Sequence, residues 1–187
     1  MWRDINKFGN KVPWKEIVWY GKGIPRNSFI LWMAILNRLK TQDRVRVWEK
    51  TGILLCPFCN LIPDSHDHLF FNCEFSQSIW RHFCGKMRIK LVMGGWNETI
   101  LKCCNLWYKD TGENLINKCI LASCVAHIWK ERNARIFNKK SLTAEGVIAC
   151  IENEIRLKLL DLRNNNNLIN KRIYKDWGIY GKDKHKR

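Results

Sequence analysis

Apolar residues along this chain recur every three to four positions, with little of the strict alternation that marks a half-buried strand. Residues 13–20, Pro13-Trp14-Lys15-Glu16-Ile17-Val18-Trp19-Tyr20, read as a short helix with proline in its first turn. Gly21-Lys22-Gly23-Ile24-Pro25 breaks it. Over 26–38 the run Phe29 to Leu36 is apolar on nearly all sides, which predicts a buried helix too short to cross a membrane. Thr41 is placed to cap a further helix, with Asp43 in its first turn and Gly52 at its end. Val45 and Trp48 would then face inward, and Arg44, Arg46 and Lys50 outward.

The same spacing continues through the second half. Ile79, Trp80 and Phe83 make one side of an amphipathic helix over 75–87, and Gly94-Gly95 is a break before a weaker helix over 96–108. Ile116, Ile120, Cys124 and Ile128 form the apolar stripe of a long helix over 113–138. Ile148, Ile151, Ile155 and Leu159 do the same over 141–163. The asparagines at 164–167 end the globular part, and the basic tail from Lys171 is expected to be flexible. No βαβ pattern is present, so the fold class is all-α. Three segments are expected: 1–90, a helical region at 91–163 packing on it, and a tail at 164–187.

One interruption of the helical pattern carries chemistry. Cys56-Pro57-Phe58-Cys59, eight residues, His68, four residues and Cys73 give C-x2-C-x8-H-x4-C. Four thiolate or imidazole donors within so short a span have the spacing of a structural zinc site. Pro57 fixes φ in the first turn, and Asn60 to Ser65 is turn-rich enough to swing the chain back. The expected ligands of Zn2+ are Cys56, Cys59, His68 and Cys73, with His66 as the rival to His68. Cys84, Cys103, Cys104, Cys119, Cys124 and Cys150 show no second ligand pattern, and the last three sit in apolar helical stretches where core packing is expected.

Charge adds a partner class. The chain has 33 Lys and Arg against 17 Asp and Glu, a net charge of +16. Residues 1–50 hold 11 against 4 and residues 156–187 hold 10 against 3, each a balance of +7, whereas 51–110 and 111–155 each come to +1. A basic excess at both ends favours a polyanion, nucleic acid first. Candidate phosphate contacts are Lys22, Arg26, Arg38, Lys40, Arg44 and Arg46, with Arg132 and Arg135 as a second patch. The aromatic residues lie mostly in apolar runs, which argues less for base stacking. There is no apolar leader and no run of about 18 uncharged apolar residues, and nine cysteines make an odd number. The expected setting is intracellular and reducing, nuclear or cytoplasmic, without a membrane.

From Val12 to Trp80 the text resembles the zinc-binding module found beside reverse transcriptases in plant non-LTR (LINE-type) retroelements. The resemblance rests on Trp14…Ile17-Val18-Trp19, Ile24-Pro25-Arg26…Phe29-Ile30-Leu31-Trp32 and Asn37-Arg38-Leu39-Lys40-Thr41-Gln42-Asp43-Arg44. It continues in the zinc motif with Asp67-His68-Leu69-Phe70-Phe71-Asn72-Cys73 and Phe75…Ile79-Trp80. A weaker likeness lies at Ile128-Trp129-Lys130-Glu131-Arg132-Asn133-Ala134-Arg135-Ile136-Phe137, text that often follows the module in such elements. Asp64 stands where the family commonly has glutamate. The resemblance implies that 1–90 is a reverse-transcriptase-type zinc module, favours His68 over His66, and names a reverse transcriptase domain of the same element as a possible neighbour.

Catalysis is not expected. There is no Asp-Asp pair for two-metal phosphoryl transfer, the eight aspartates are scattered, and no glycine-rich phosphate loop appears. His127 and Glu131, four apart on one helix, read as packing residues rather than an acid–base pair. Two functions remain: a zinc-stabilised nucleic-acid-binding module, or a scaffold that docks on a polymerase domain or another chain. Arg38, Arg44 and Arg46 paired with acids would count against the first, and tryptophans clustered at the surface would favour the second.

Overall fold

The computed structural model describes residues 12–45, 55–89, 95–165 and 169–179. It is helical, and the described residues contain no strand, only one isolated antiparallel bridge between Leu55 and Pro63. In chain order the helices are α1 (Lys15–Val18), α2 (Pro25–Ile35), α3 (Gln42–Val45), a π-helical turn (His68–Asn72), α4 (Glu74–Met87), α5 (Trp96–Leu106), α6 (Gly112–Asn138), α7 (Ala144–Asn165) and α8 (Lys171–Asp176).

The long helix α6 is the axis of the fold. Thr111 caps its start by accepting the Asn114 amide, and Lys139 ends it in the left-handed region at φ 52°. Its expected stripe, Ile116, Ile120, Cys124 and Ile128, is buried throughout. Yet α6 buries far more than one stripe, because α2 and α7 flank it and α4 also contacts it. From α7, Ile151, Ile155 and Leu159 enter the same core, as do Ile79, Trp80 and Phe83 of α4. The hydrophobic contribution from such apolar burial is about 25 cal/mol per Å² removed from water, which is why long-range helix contacts outweigh any local propensity here.

Several expectations need correction. Helix α2 is not buried all round: Leu31 and Ala34 are fully buried, but Phe29 is 49% exposed and Trp32 half-buried. An apolar run longer than the buried arc of a helix must leave part of itself outside. Cys150 is exposed, since it falls on the opposite side of α7 from Ile151 and Ile155, whereas Cys119 and Cys124 are in the core as expected. Ordered structure continues past the asparagine run: Asn170 caps α8, Trp177 is buried under Lys86, and Arg88 pairs with Asp176 at 2.6 Å. Ile169 and Trp177 supply apolar anchors that a reading of charge alone overlooks. The expected end of a helix at Gly52, the inward Trp48, the outward Arg46 and Lys50, and the last residues of the tail lie outside the described residues.

Candidate metal centre

The chain enters the site through a tight turn. Cys56, Pro57, Phe58 and Cys59 wrap so that the Asn60 amide donates to the Cys56 carbonyl at 2.8 Å, with Asn60 left-handed at φ 55°. Asparagine tolerates that conformation better than most residues. The Cys56 amide then donates to Ile62 O at 2.7 Å, closing the loop. The amides of Phe58 and Cys59 point at the Cys56 sulfur.

The second ligand pair comes from the π-turn. In an α-helix, residues five apart are separated by about 140° around the axis, so a histidine and a cysteine with four residues between them would face different ways. Here the Cys73 amide donates to His68 O at 2.7 Å, an i→i+5 closure that widens the turn and brings the two side chains to one side. Neighbours fix the widened turn. Ser76 Oγ donates to Leu69 O at 2.5 Å and Trp80 Nε1 donates to Phe70 O at 2.7 Å. Cys73 also stands at the N-cap of α4, where the helix dipole favours a thiolate.

The donor atoms of Cys56, Cys59, His68 and Cys73 all lie within 4.8 Å of one another. Cys56 Sγ is 3.9 Å from Cys73 Sγ, and Cys59 Sγ is 3.2 Å from His68 Nε2. Tetrahedral zinc needs edges of roughly 3.8 Å between sulfurs and roughly 3.6 Å between sulfur and nitrogen. The residues present therefore fit the ion in number, chemistry and spacing. Their protonation differs from one donor to the next. Cys73 is pushed below its ordinary value, first because it accepts a hydrogen bond from Cys56, against burial and with help from the Phe75 amide. Cys56 is pushed up as that donor and by burial. Burial lowers His68 despite the Asp64 charge, which favours the neutral imidazole that binds metal. His66 is not in the cluster. Its ring meets Trp96 edge-on at 4.8 Å and Phe70 at 4.9 Å, inside an aromatic group.

Carboxylates in the ligand loop reach outward and bind it to three helices. Asp64 is fully buried. Its Oδ2 accepts Arg132 Nη2 of α6 at 2.6 Å and the Gln42 amide of α3 at 3.0 Å. Asp64, rather than Thr41, thus supplies the bond to the first turn of α3. Asp67 Oδ1 accepts the Trp96 amide at 2.6 Å and so holds the start of α5. From the other side, Arg135 Nη1 donates to Pro57 O at 3.1 Å, within the ligand turn itself, and its guanidinium covers the stacked rings of Phe58 and Phe75. Arg135 Nε donates to Glu131 Oε1 at 2.8 Å.

These contacts move two of the candidate nucleic-acid residues. Arg132 is 3% exposed, ion-paired to Asp64, and stacked on Trp129 at 4.9 Å. Arg135 is committed at all three guanidinium nitrogens, the last through Nη2 to Leu142 O at 2.8 Å. Both bind the ligand loop to α6 and neither offers a free cation to phosphate. No local pattern could have shown this, because Asp64 and Arg132 are 68 positions apart. His127 and Glu131 also separate: His127 Nε2 lies 3.3 Å from Glu154, and Glu131 faces Arg135.

Of the first group, Arg26, Arg38 and Lys40 are exposed and Lys22 is half-buried, and none has a carboxylate partner among the described residues. Arg38 lies over the Trp32 ring at 5.8 Å. The side chains of Arg44 and Arg46 lie outside the described residues. Trp19 and Phe29, each about half exposed, flank Trp32 with ring centroids at 6.0 and 5.7 Å. Aromatic residues gathered at the surface of this part of the chain are what the scaffold reading expects.

Residues 1–80 match the family model described as zinc-binding in reverse transcriptase. No curated protein and no solved structure matches the chain. The family match and the four-donor cluster together support a zinc-binding module of the reverse transcriptase type. The match ends within α4, so Arg132 and Arg135 reach the ligand loop from outside the matched stretch. No helix among the described residues is long and apolar enough to cross a membrane.

Proposed function

We propose that this chain is a non-catalytic zinc-binding module of a retroelement reverse transcriptase, of the plant non-LTR type, that contributes to nucleic-acid binding through basic residues around α2. Zinc would be held by Cys56, Cys59, His68 and Cys73. Four protein ligands leave no open position for water or substrate, which is the arrangement of a structural site. The metal would supply rigidity to the loop from which Asp64 and Asp67 reach α3, α5 and α6. The observation that carries the binding role is the set Lys22, Arg26, Arg38 and Lys40, which has no carboxylate partner among the described residues.

Such contacts act by neutralising phosphates and releasing counterions. Four contacts to a single strand predict a log–log salt slope of about −2.8, hence a loss of affinity on the order of 50-fold between 50 and 200 mM salt. Fluorescence anisotropy with a labelled RNA or DNA oligonucleotide over that range measures it. Undetectable binding, or affinity flat with salt, would exclude this role.

A second reading is favoured by the aromatic group of Trp19, Phe29 and Trp32, which could seat a neighbouring polymerase domain or another chain. In that case Phe29→Ala would weaken association between proteins and leave oligonucleotide binding unchanged.

A further inference from the structure

A groove between α2 and α6, floored in part by Glu154 of α7, has a volume of about 500 Å³. That lies in the range of ordinary ligand sites, about 300–1,000 Å³. Arg26 and Ile30 form the α2 wall, and Trp129, Lys130, Asn133 and Phe137 the α6 wall. Neither α1 nor the metal loop contributes to it. We propose that this groove is a binding cleft for single-stranded nucleic acid. The assignment rests on the nucleic-acid reading above and gives it a second site, which shares Arg26 with the first, excludes Arg38 and Lys40, and takes its other wall from α6, beyond the matched stretch.

The rings come first. Phe137 is 73% exposed at the mouth of the groove, a phenyl face with no ring or cation contact among the described residues. Trp129 is half-buried, with the Arg132 guanidinium on its ring at 4.9 Å. The ion pair of Arg132 with Asp64 therefore also fixes that indole. Trp129 and Phe137 are eight residues apart on one helix, about 12 Å along the axis. That is longer than one nucleotide step, so the two rings would take bases with at least one nucleotide between them along a strand, and a mononucleotide could not reach both. Stacking on such rings needs exposed base faces, which a duplex does not offer.

Charge then selects a polyanion. Arg26 and Lys130 are exposed on opposite walls, and neither has a carboxylate partner among the described residues. Lys139 and Lys140 extend the positive charge past the end of α6. The one carboxylate in the groove, Glu154, is already engaged. It accepts from Asn27 Nδ2 at 2.6 Å and lies 3.3 Å from His127 Nε2. Between the rings stands Asn133, whose Oδ1 accepts Arg132 Nη1 at 2.9 Å, leaving its amide nitrogen as the donor toward a base edge.

The test uses the full chain and a fluorescein-labelled oligothymidylate dodecamer, with its oligoadenylate duplex and thymidine monophosphate as comparisons. Phe137→Ala should weaken dodecamer binding about fivefold or more, the effect of removing one stacked base, with the salt slope unchanged. Lys130→Gln should lower the magnitude of the slope by about 0.7, one phosphate contact. Both residues are exposed, so thermal melts of the two variants should match the parent. The single strand should bind more tightly than the duplex or the mononucleotide. If the parent binds with a steep salt slope but both variants bind as it does, the groove assignment fails while the nucleic-acid reading stands. If the parent binds none of the three probes, both fail and a protein partner becomes the occupant to seek.

Discussion

Arg132→Met should destabilise the folded chain by about 3–5 kcal/mol, the usual cost of removing one partner of a buried ion pair. The substitution keeps the length and much of the volume of the side chain, so packing changes little. What remains is the Asp64 carboxylate, fully buried, with the Gln42 amide as its only described donor. A charge left in that position must either be hydrated by opening the loop or be neutralised by a proton, and each has a large free-energy cost. Urea unfolding followed by tryptophan fluorescence measures the effect, since Trp129 lies against the Arg132 guanidinium. The double variant Asp64→Leu with Arg132→Met removes both charges and should be at least about 1 kcal/mol more stable than Arg132→Met alone, despite losing the bond to α3. A loss under about 1 kcal/mol for Arg132→Met would mean that the pair holds nothing in place.

Cys56→Ser, or a strong chelator, should abolish zinc binding and unfold the loop without unfolding the helical core. Structural zinc contributes about 10–16 kcal/mol apparent in small finger peptides, comparable to a whole domain's stability of about 5–15 kcal/mol. Here the contacts of α6 with α2 and α7 do not pass through the metal. Hydrogen exchange should therefore accelerate across residues 55–73 and at the start of α4, while the amides of Ile120 to Ile128 keep their protection. Acid should mimic the variant, because protons compete with the ion for three sulfurs and the imidazole. Metal analysis showing undiminished zinc in Cys56→Ser would exclude this ligand set, and global unfolding on chelation would refute the local picture.

Spacing alone was enough to find the donors Cys56, Cys59 and Cys73, because ligands on one ion must lie close in a short loop. His68 was preferred to His66 on spacing and on the family resemblance; its physical basis, a π-turn that puts residue 68 on the side of Cys73 while residue 66 lies among aromatic rings, was not legible. Helical stripes located α4 and α7 because each buries one side, and α6 because its stripe is part of a wider buried surface. They could not show that α2 leaves Phe29 outside, since an apolar run has no polar residue to mark its exposed arc. Least visible were Arg132 and Arg135. A basic residue in a charged run reads as solvated until the carboxylate or carbonyl that claims it is brought near by folding, and Asp64 and Pro57 are each more than 60 positions away.

The i→i+5 closure at Cys73 also sets which insertions the metal loop can accept. The four residues from Leu69 to Asn72 are a fixed count, because one more or one fewer would turn Cys73 by about 100° relative to His68 and break the bonds from Ser76 and Trp80. Asn60 to Ile62 is different. Leu61 is 79% exposed and Ile62 is 47% exposed, and the bridge between Leu55 and Pro63 closes the loop behind them. Length variation among related chains should therefore gather at residues 60–62, with the interval from His68 to Cys73 unchanged, as an alignment of relatives would show.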